Sequence, residues 1–249
     1  MEMPRTVGDM DPSTILVAGV GGIGCAWAHR AHQKCQGSAH LVLIDADDSS
    51  FKTGEDVHVL RLGHALDSVG CAALPPLAEQ RMRGLNTLTN RLLDTTELVI
   101  LLTGLGGGVG TGAAHEFARQ ARQSGAVVLA VAALPFEQQT TRMDIALEGL
   151  NRLESTAHVT VRLSLDRLAR QAREKGQLWQ MGAEWIEDLV DGLVRTLMRM
   201  GLINLDLMDL RAIVDQTGEA TMLVGVGRPD DPRGAVSYTH LTLPTTMWV

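Results

Sequence analysis

Residues 103–114 read T-G-L-G-G-G-V-G-T-G-A-A, with six glycines among the nine residues from Gly104 to Gly112. The run follows an apolar segment, Leu98 to Leu102, and precedes a helical pattern from Ala113 to Ser124. Strand, glycine loop and helix start, in that order, make an anion cradle. Glycine lets the backbone approach a phosphate and adopt positive φ, while a helix N-terminus offers unpaired N–H groups and a favourable dipole. The run fits neither G-x-x-x-x-G-K-[ST] nor a dinucleotide fingerprint.

Outward from this loop, short apolar segments alternate with helical patterns. Ile15–Ala18 enters a glycine turn, and Cys25–Gln33 has helical spacing. Leu41–Ile44 reads as a second strand ending in Asp45-Ala46-Asp47-Asp48. Phe51–Pro76, punctuated by Gly54, Gly63, Gly70, Pro75 and Pro76, reads mainly as loops, and Leu77–Leu93 as one helix. Strands follow at Val127–Val131 and Val159–Leu163, with a helix over Asp144–Leu153 between them. The alternation predicts an α/β fold, a parallel sheet covered by helices on both faces. A long helix is expected over Gln177–Met200, with a stripe through Ile186, Leu189, Val190, Leu193, Val194, Leu197 and Met198. Ala220–Val226 resembles the first strand of another unit.

Bulk properties narrow the function. A net charge of −7 argues against nucleic acid as a partner, because phosphate-backbone binding needs a basic face. No apolar stretch approaches the roughly 20 residues needed to cross a bilayer, and the first eleven residues lack the apolar region of a signal peptide. Cys25, Cys35 and Cys71 show no metal-ligand spacing and read as reduced thiols of a cytoplasmic protein. No metal site formed by side chains is expected. Val236–Val249, beginning V-S-Y-T-H-L, resembles a translated sequencing adapter and is treated as a non-native tail.

Gly19-Val20-Gly21-Gly22-Ile23-Gly24 satisfies G-x-G-x-x-G, with Asp45 placed 21 residues later at a strand end. Alone, this is the fingerprint of a dinucleotide-binding or ubiquitin-activating-like adenylating enzyme. That reading leaves the second glycine loop without explanation. Two phosphate loops in one α/β domain point instead to a nucleotide held between them.

The motifs taken together resemble the tubulin/FtsZ superfamily. Gly106–Gly112 match its G-G-G-x-G-T-G signature, with Val109 where Thr or Ser is usual. Ile44-Asp45-Ala46-Asp47 stands in for N-T-D-A, with Asp47 at the family's Asp. Gly70-Cys71-Ala72-Ala73-Leu74-Pro75 occupies the place of the G-A-G-G-N-P loop, which senses the terminal phosphate in FtsZ. Pro135-Phe136 and Arg142-Met143 match P-F…R-M, one residue shorter between the pairs, so Glu137 or Gln138 takes the place of the acid. Ser164-Leu165-Asp166-Arg167-Leu168 resembles P-N-D-R-L, with Leu165 replacing Asn, and Cys25 stands where many FtsZ sequences carry Asn. Asn204, Asp206 and Asp209 keep the polar positions of the N-x-D-x-x-D loop.

The resemblance implies a Rossmann-like GTPase domain over residues 12–175, after a flexible stretch at 1–11. It also implies a long central helix at 176–200 and a catalytic loop, short helix and first strand of a truncated second domain at 201–235. It implies GTP/GDP and Mg²⁺ as ligands. Gly21, Gly22, Asp47, Ala72, Gly106, Gly107, Gly108, Val109, Gly110, Thr111 and Gly112 would surround the phosphates. Glu137 and Arg142 would sit at the ribose, Trp179 would stack on guanine, and Glu184 would read it. A carboxylate suits guanine, whose N1–H and N2–H groups are adjacent donors. Asp206, Asp209 and Asn204 would serve the nucleotide of the next subunit in a head-to-tail filament, with a paralogous filament protein as a further candidate partner. A nucleotide-binding scaffold with weak turnover is the alternative, because Val109, Leu165 and Leu74 each remove a polar contact.

Overall fold

The structure is a computed structural model, which describes residues 14–51, 57–63, 71, 73–174, 184–198 and 211–212. Its strands are β1 (Ile15–Val20), β2 (His40–Asp45), β3 (Val57–Arg61), β4 (Leu98–Gly104), β5 (Val127–Leu134) and β6 (Val159–Ser164). They form one parallel sheet in the order β3-β2-β1-β4-β5-β6. The central strands β1 and β4 are buried almost throughout, as their unbroken apolar runs require when helices cover both faces.

Alternation along each strand sorts the core into two layers. Ile15 and Val17 of β1, Leu41 and Leu43 of β2, and Ile100 and Leu102 of β4 face α1 (Gly21–Cys35), α6 (Leu165–Glu174) and α7 (Glu184–Met198). Leu16, Ala18 and Val20, with Val42, Ile44, Val99 and Leu101, face the other way. They meet α2 (Pro75–Gly84), α3 (Asn86–Leu93), α4 (Gly108–Gln123) and α5 (Thr140–Thr156). Phe117 of α4, fully buried, is the largest side chain of this second layer. Helix α7 lies along α1, tied by ion pairs of Glu187 with Arg30 and of Asp188 with Lys34. The partners advance together along both helices, so the start of α7 lies toward the start of α1.

Several elements differ from the sequence reading, among them α6, where no helix was expected. Val57–Arg61, expected in a loop, is the edge strand β3. The single helix expected over Leu77–Leu93 is two, because the chain turns at Leu85 after Gly84. Helices α1 and α4 begin at Gly21 and Gly108, inside the glycine turns rather than after them. The predicted helix Asp144–Leu153 extends at both ends, to Thr140 and Thr156. Of the long helix, residues 184–198 are described and are helical; the strand expected at Ala220–Val226 lies outside the described residues.

A charged seam runs over the second layer. Glu116 is completely buried, and accepts hydrogen bonds from Arg119 and Gln120 of its own helix and from Arg83 of α2. Burial alone would raise its pKa; the hydrogen bonds from Arg119, Gln120 and Arg83 outweigh it and hold the carboxyl below its ordinary value.

Candidate nucleotide site

The strand order places β1 beside β4, and the chain leaves these neighbours toward opposite faces of the sheet. That topological switch point opens a crevice at the C-terminal strand ends. Both glycine turns stand there. Helix α1 starts after Val20 and α4 after Gly107, and neither first turn has a side-chain cap. Two sets of backbone N–H groups are therefore left for a ligand.

Close packing explains why these turns are glycine. A side chain at Gly21, where φ is +75°, would bring its Cβ within 3.1 Å of the Gly110 nitrogen, so the two helix starts nearly touch. At Gly106, φ is +87° and a Cβ would lie 2.7 Å from the Arg142 carbonyl oxygen. By contrast, among the described residues outside the turns themselves, nothing comes within 4 Å of a Cβ at Gly107, and only Ser50 Oγ (3.8 Å) does so at Gly22. These two positions face the open mouth of the cradle.

Hydroxyl groups brace the loop from within. Thr103 Oγ1 lies 3.1 Å from the carbonyl oxygens of both Val20 and Gly110, its single proton shared between the ends of the two turns. Thr111 Oγ1 accepts from the Gly106 N–H at 2.9 Å, closing the loop on itself. Val109 is buried within the second core layer, so its side chain packs inward and only its backbone faces the helix start. Gly112 lies one turn further in, where a Cβ would meet the Pro75 carbonyl oxygen at 1.9 Å.

Three loops border the cradle. In the first, Leu74 N–H donates to the Cys71 carbonyl at 2.7 Å, a turn whose Ala73 and Leu74 lie across the start of α4. A Cβ at Gly108 would stand 2.9 Å from the Leu74 nitrogen. Within that turn Ala73 has φ +56°, a left-handed conformation that ordinarily falls to glycine. At the β5–α5 connection, Arg142 Nε in the first turn of α5 donates to the Gly106 carbonyl at 3.3 Å, while the Glu137 N–H in the loop donates to Asp166 Oδ2 at 2.9 Å. Both Glu137 and Arg142 are exposed. Beside α1, Asp47 is exposed and caps the short 3₁₀ turn Asp48–Ser50 by accepting from the Ser49 N–H at 2.9 Å. The Ser49 hydrogen bonds lower its pKa.

The structure thus gathers Gly21, Gly22, Asp47, Gly106–Gly110, Glu137 and Arg142 around one crevice. Glu184 is exposed at the first residue of α7, the end directed toward the start of α1. Ala72, Trp179, Asn204, Asp206 and Asp209 lie outside the described residues. Arg211, two residues beyond Asp209, is described: its Nη2 donates at 2.6 Å to the carbonyl of Gly125, just ahead of β5. That is the N-terminal edge of the sheet, opposite the glycine turns. In the sequence, Thr103 and Asp166 stood within the quoted motifs without a role for either, and Ser50 stood outside them; Thr103, at the junction of strand and glycine run, was the most accessible of the three.

Among the described residues no three His, Cys, Asp or Glu side chains gather to hold a metal, and no helix is long and apolar enough to cross a membrane. The three cysteines are buried and free, and burial first, then the charge of Asp45, pushes Cys25 up to about 12.

A parallel sheet in this order, with glycine turns leading into uncapped helices on both sides of the switch point, defines a nucleotide-binding α/β protein. The chain belongs to the tubulin/FtsZ family: residues 14–173 match its GTPase domain. It is 31% identical over 218 residues to cell division protein FtsZ 2 of Haloferax volcanii, covering 86% of this chain and 54% of that protein. The chain spans about half the length of such haloarchaeal relatives. Among solved structures, FtsZ of M. jannaschii, an empty dimer, superposes with a TM-score of 0.76 at 26% identity, over 92% of this chain and 69% of that one. CetZ2 of Haloferax volcanii, a GTPγS-bound protofilament, shares the fold at a TM-score of 0.65 and 19% identity, over 76% and 60% of the two chains.

Proposed function

We propose that this chain binds GTP and GDP at the crevice between β1 and β4, and hydrolyses GTP when copies stack head to tail. The observation that carries this reading is the meeting of two uncapped helix starts, Gly21 against Gly110, in a chain of the tubulin/FtsZ family. Peptide N–H groups of Gly21, Gly22, Gly107, Gly108 and Gly110 hold the phosphates, with Val109 and Thr111 contributing backbone, Gly106 shaping the loop through its bond to Thr111, and Gly112 close packing behind them. Ala72 and Asp47 border the phosphates, Glu137 and Arg142 border the ribose, and Trp179 and Glu184 hold guanine. The cradle fits a phosphate chain, since among the described residues nothing lies within 4 Å of a Cβ at Gly107 and only the Ser50 hydroxyl does so at Gly22. Mg²⁺, which takes phosphate oxygens and water readily, would enter with the nucleotide and neutralise charge on its phosphates.

Hydrolysis falls to Asp206 and Asp209, with Asn204 beside them, acting on the nucleotide of the adjoining copy. The anchoring of Arg211 at Gly125 supports the split. Asp209 is two residues away, a reach of at most about 7 Å, while the eight residues of β5 alone extend about 26 Å toward the cradle end. An acid so tethered serves a neighbour's cradle better than its own, which couples hydrolysis to assembly. A cytoplasmic filament in cell division or cytoskeletal organisation is the corresponding role, and a paralogous filament protein a further partner.

Asp209→Ala tests the reading. Nucleotide affinity is expected to stay within about twofold, while turnover falls by roughly 10²-fold or more. In the unaltered chain, turnover per subunit should rise with protein concentration. Turnover that is independent of concentration and untouched by Asp209→Ala would overturn the split site. The inward packing of Val109 favours a second reading, a nucleotide-binding scaffold with weak hydrolysis. It predicts binding without concentration-dependent turnover in the same assay.

A further inference from the structure

We infer that Ser50 supplies a side-chain hydroxyl to the phosphates, a residue outside the family signature. The inference rests on the nucleotide reading above. Among the described residues outside the first turn of α1, Ser50 Oγ is the only group within 4 Å of the position a Cβ at Gly22 would take, at 3.8 Å. It therefore stands at the open first turn of α1, on the side away from Gly110.

Three observations concentrate the role on this hydroxyl. First, the other hydroxyls of the cradle brace it from within: Thr103 donates to carbonyl oxygens, and the buried Thr111 accepts from the Gly106 N–H. Position 109, where the family signature offers a hydroxyl, carries a buried valine instead. Second, Ser50 Oγ makes no hydrogen bond among the described residues and is half-buried, so its donor is free to point into the crevice. Third, the turn that carries it is fixed in advance. Asp47 caps it, Asp48 pairs with Arg61 of β3, and the Arg61 guanidinium lies 5.8 Å from the ring centre of Phe51. A donor held ready on a rigid turn loses little freedom on binding, and a hydroxyl bound to a phosphate oxygen makes a charge-assisted hydrogen bond.

The test uses the whole chain and measures dissociation constants for GTP, GDP and 2′-deoxy-GTP. Ser50→Ala is expected to weaken all three about tenfold, and Ser50→Thr, which keeps the hydroxyl, to stay within about twofold. The thermal midpoint without nucleotide should be unchanged by either variant. If the unaltered chain binds none of the three, the nucleotide reading itself fails. If it binds and Ser50→Ala binds equally well, only the role of Ser50 fails. A penalty that disappears with 2′-deoxy-GTP would assign the hydroxyl to the sugar, and a lowered thermal midpoint would assign it to the turn; either result overturns the inference.

Discussion

The two glycine turns of the crevice look alike in sequence and are held in different ways. The first is locked by the sheet: a Cβ at Gly24 would lie 2.2 Å from the carbonyl oxygen of Leu102 and 3.0 Å from Thr103 Cα, backbone near the C-terminal end of β4. The second is held mostly by loops and helix ends, with one contact to the sheet: a Cβ at Gly110 would lie 2.0 Å from the carbonyl oxygen of Gly104, the last residue of β4. Gly106 meets the Arg142 carbonyl, Gly108 meets Ala73 and Leu74, and Gly112 meets Pro75. One turn is a fixture of the core, and the other is shaped by neighbours able to shift. The contrast teaches that a glycine fingerprint mixes positions required by packing with positions required by the ligand, in proportions the motif does not reveal.

Three substitutions would break or sharpen this contrast. Gly24→Ala has the largest expected effect. Neither α1 nor the buried end of β4 has room to retreat, so stability should fall by about 3 kcal/mol or more, lowering the thermal midpoint by roughly 6–12 °C. An unchanged midpoint would remove the distinction between the two turns. Gly106→Ala comes next and divides its effect differently. The left-handed conformation and the Arg142 contact should cost about 1–2 kcal/mol as the β5–α5 loop yields, while nucleotide affinity falls at least about tenfold. If stability drops as far as in Gly24→Ala, the second turn is as rigid as the first. Ala73→Gly is the smallest and has the opposite sign. Relief of the left-handed alanine should raise stability by up to about 1 kcal/mol, read as a higher midpoint in thermal unfolding. A lower midpoint would mean that the turn over α4 gains more from the methyl group than it loses in strain.

Much of the architecture was legible because the central strands are buried on both faces. Ile15–Val20, Leu98–Gly104 and Val127–Leu134 are apolar nearly without interruption, a pattern few other structures produce. Strand β3 was missed because it is an edge. His58 and Val59 are exposed, Val57 and Arg61 are half-buried, and glycines stand on either side of the segment. The early starts of α1 and α4 were hidden by composition, since glycine disfavours helix by about 1 kcal/mol per residue. Tertiary packing overrides that preference where Gly24 and Gly112 admit backbone from β4 and α2.

Within the candidate site, the backbone cradle was readable and the side-chain bracing was not. The glycine signature located the two helix starts. It could not show that Val109 turns into the core, that Thr111 closes the loop, or that Asp166 reaches the Glu137 N–H across 29 residues. Each of those depends on where a neighbouring element happens to lie, and local spacing carries no trace of it.

The inward turn of Val109 has a consequence for how the site responds to acidity. A cradle whose donors are peptide N–H groups and hydroxyls has no proton to gain or lose between mild acid and mild base. Phosphate capture at the starts of α1 and α4 should therefore bring no titration of its own. Any pH dependence of nucleotide affinity then belongs to the ligand's terminal phosphate, or to the carboxylates that stand at the rim.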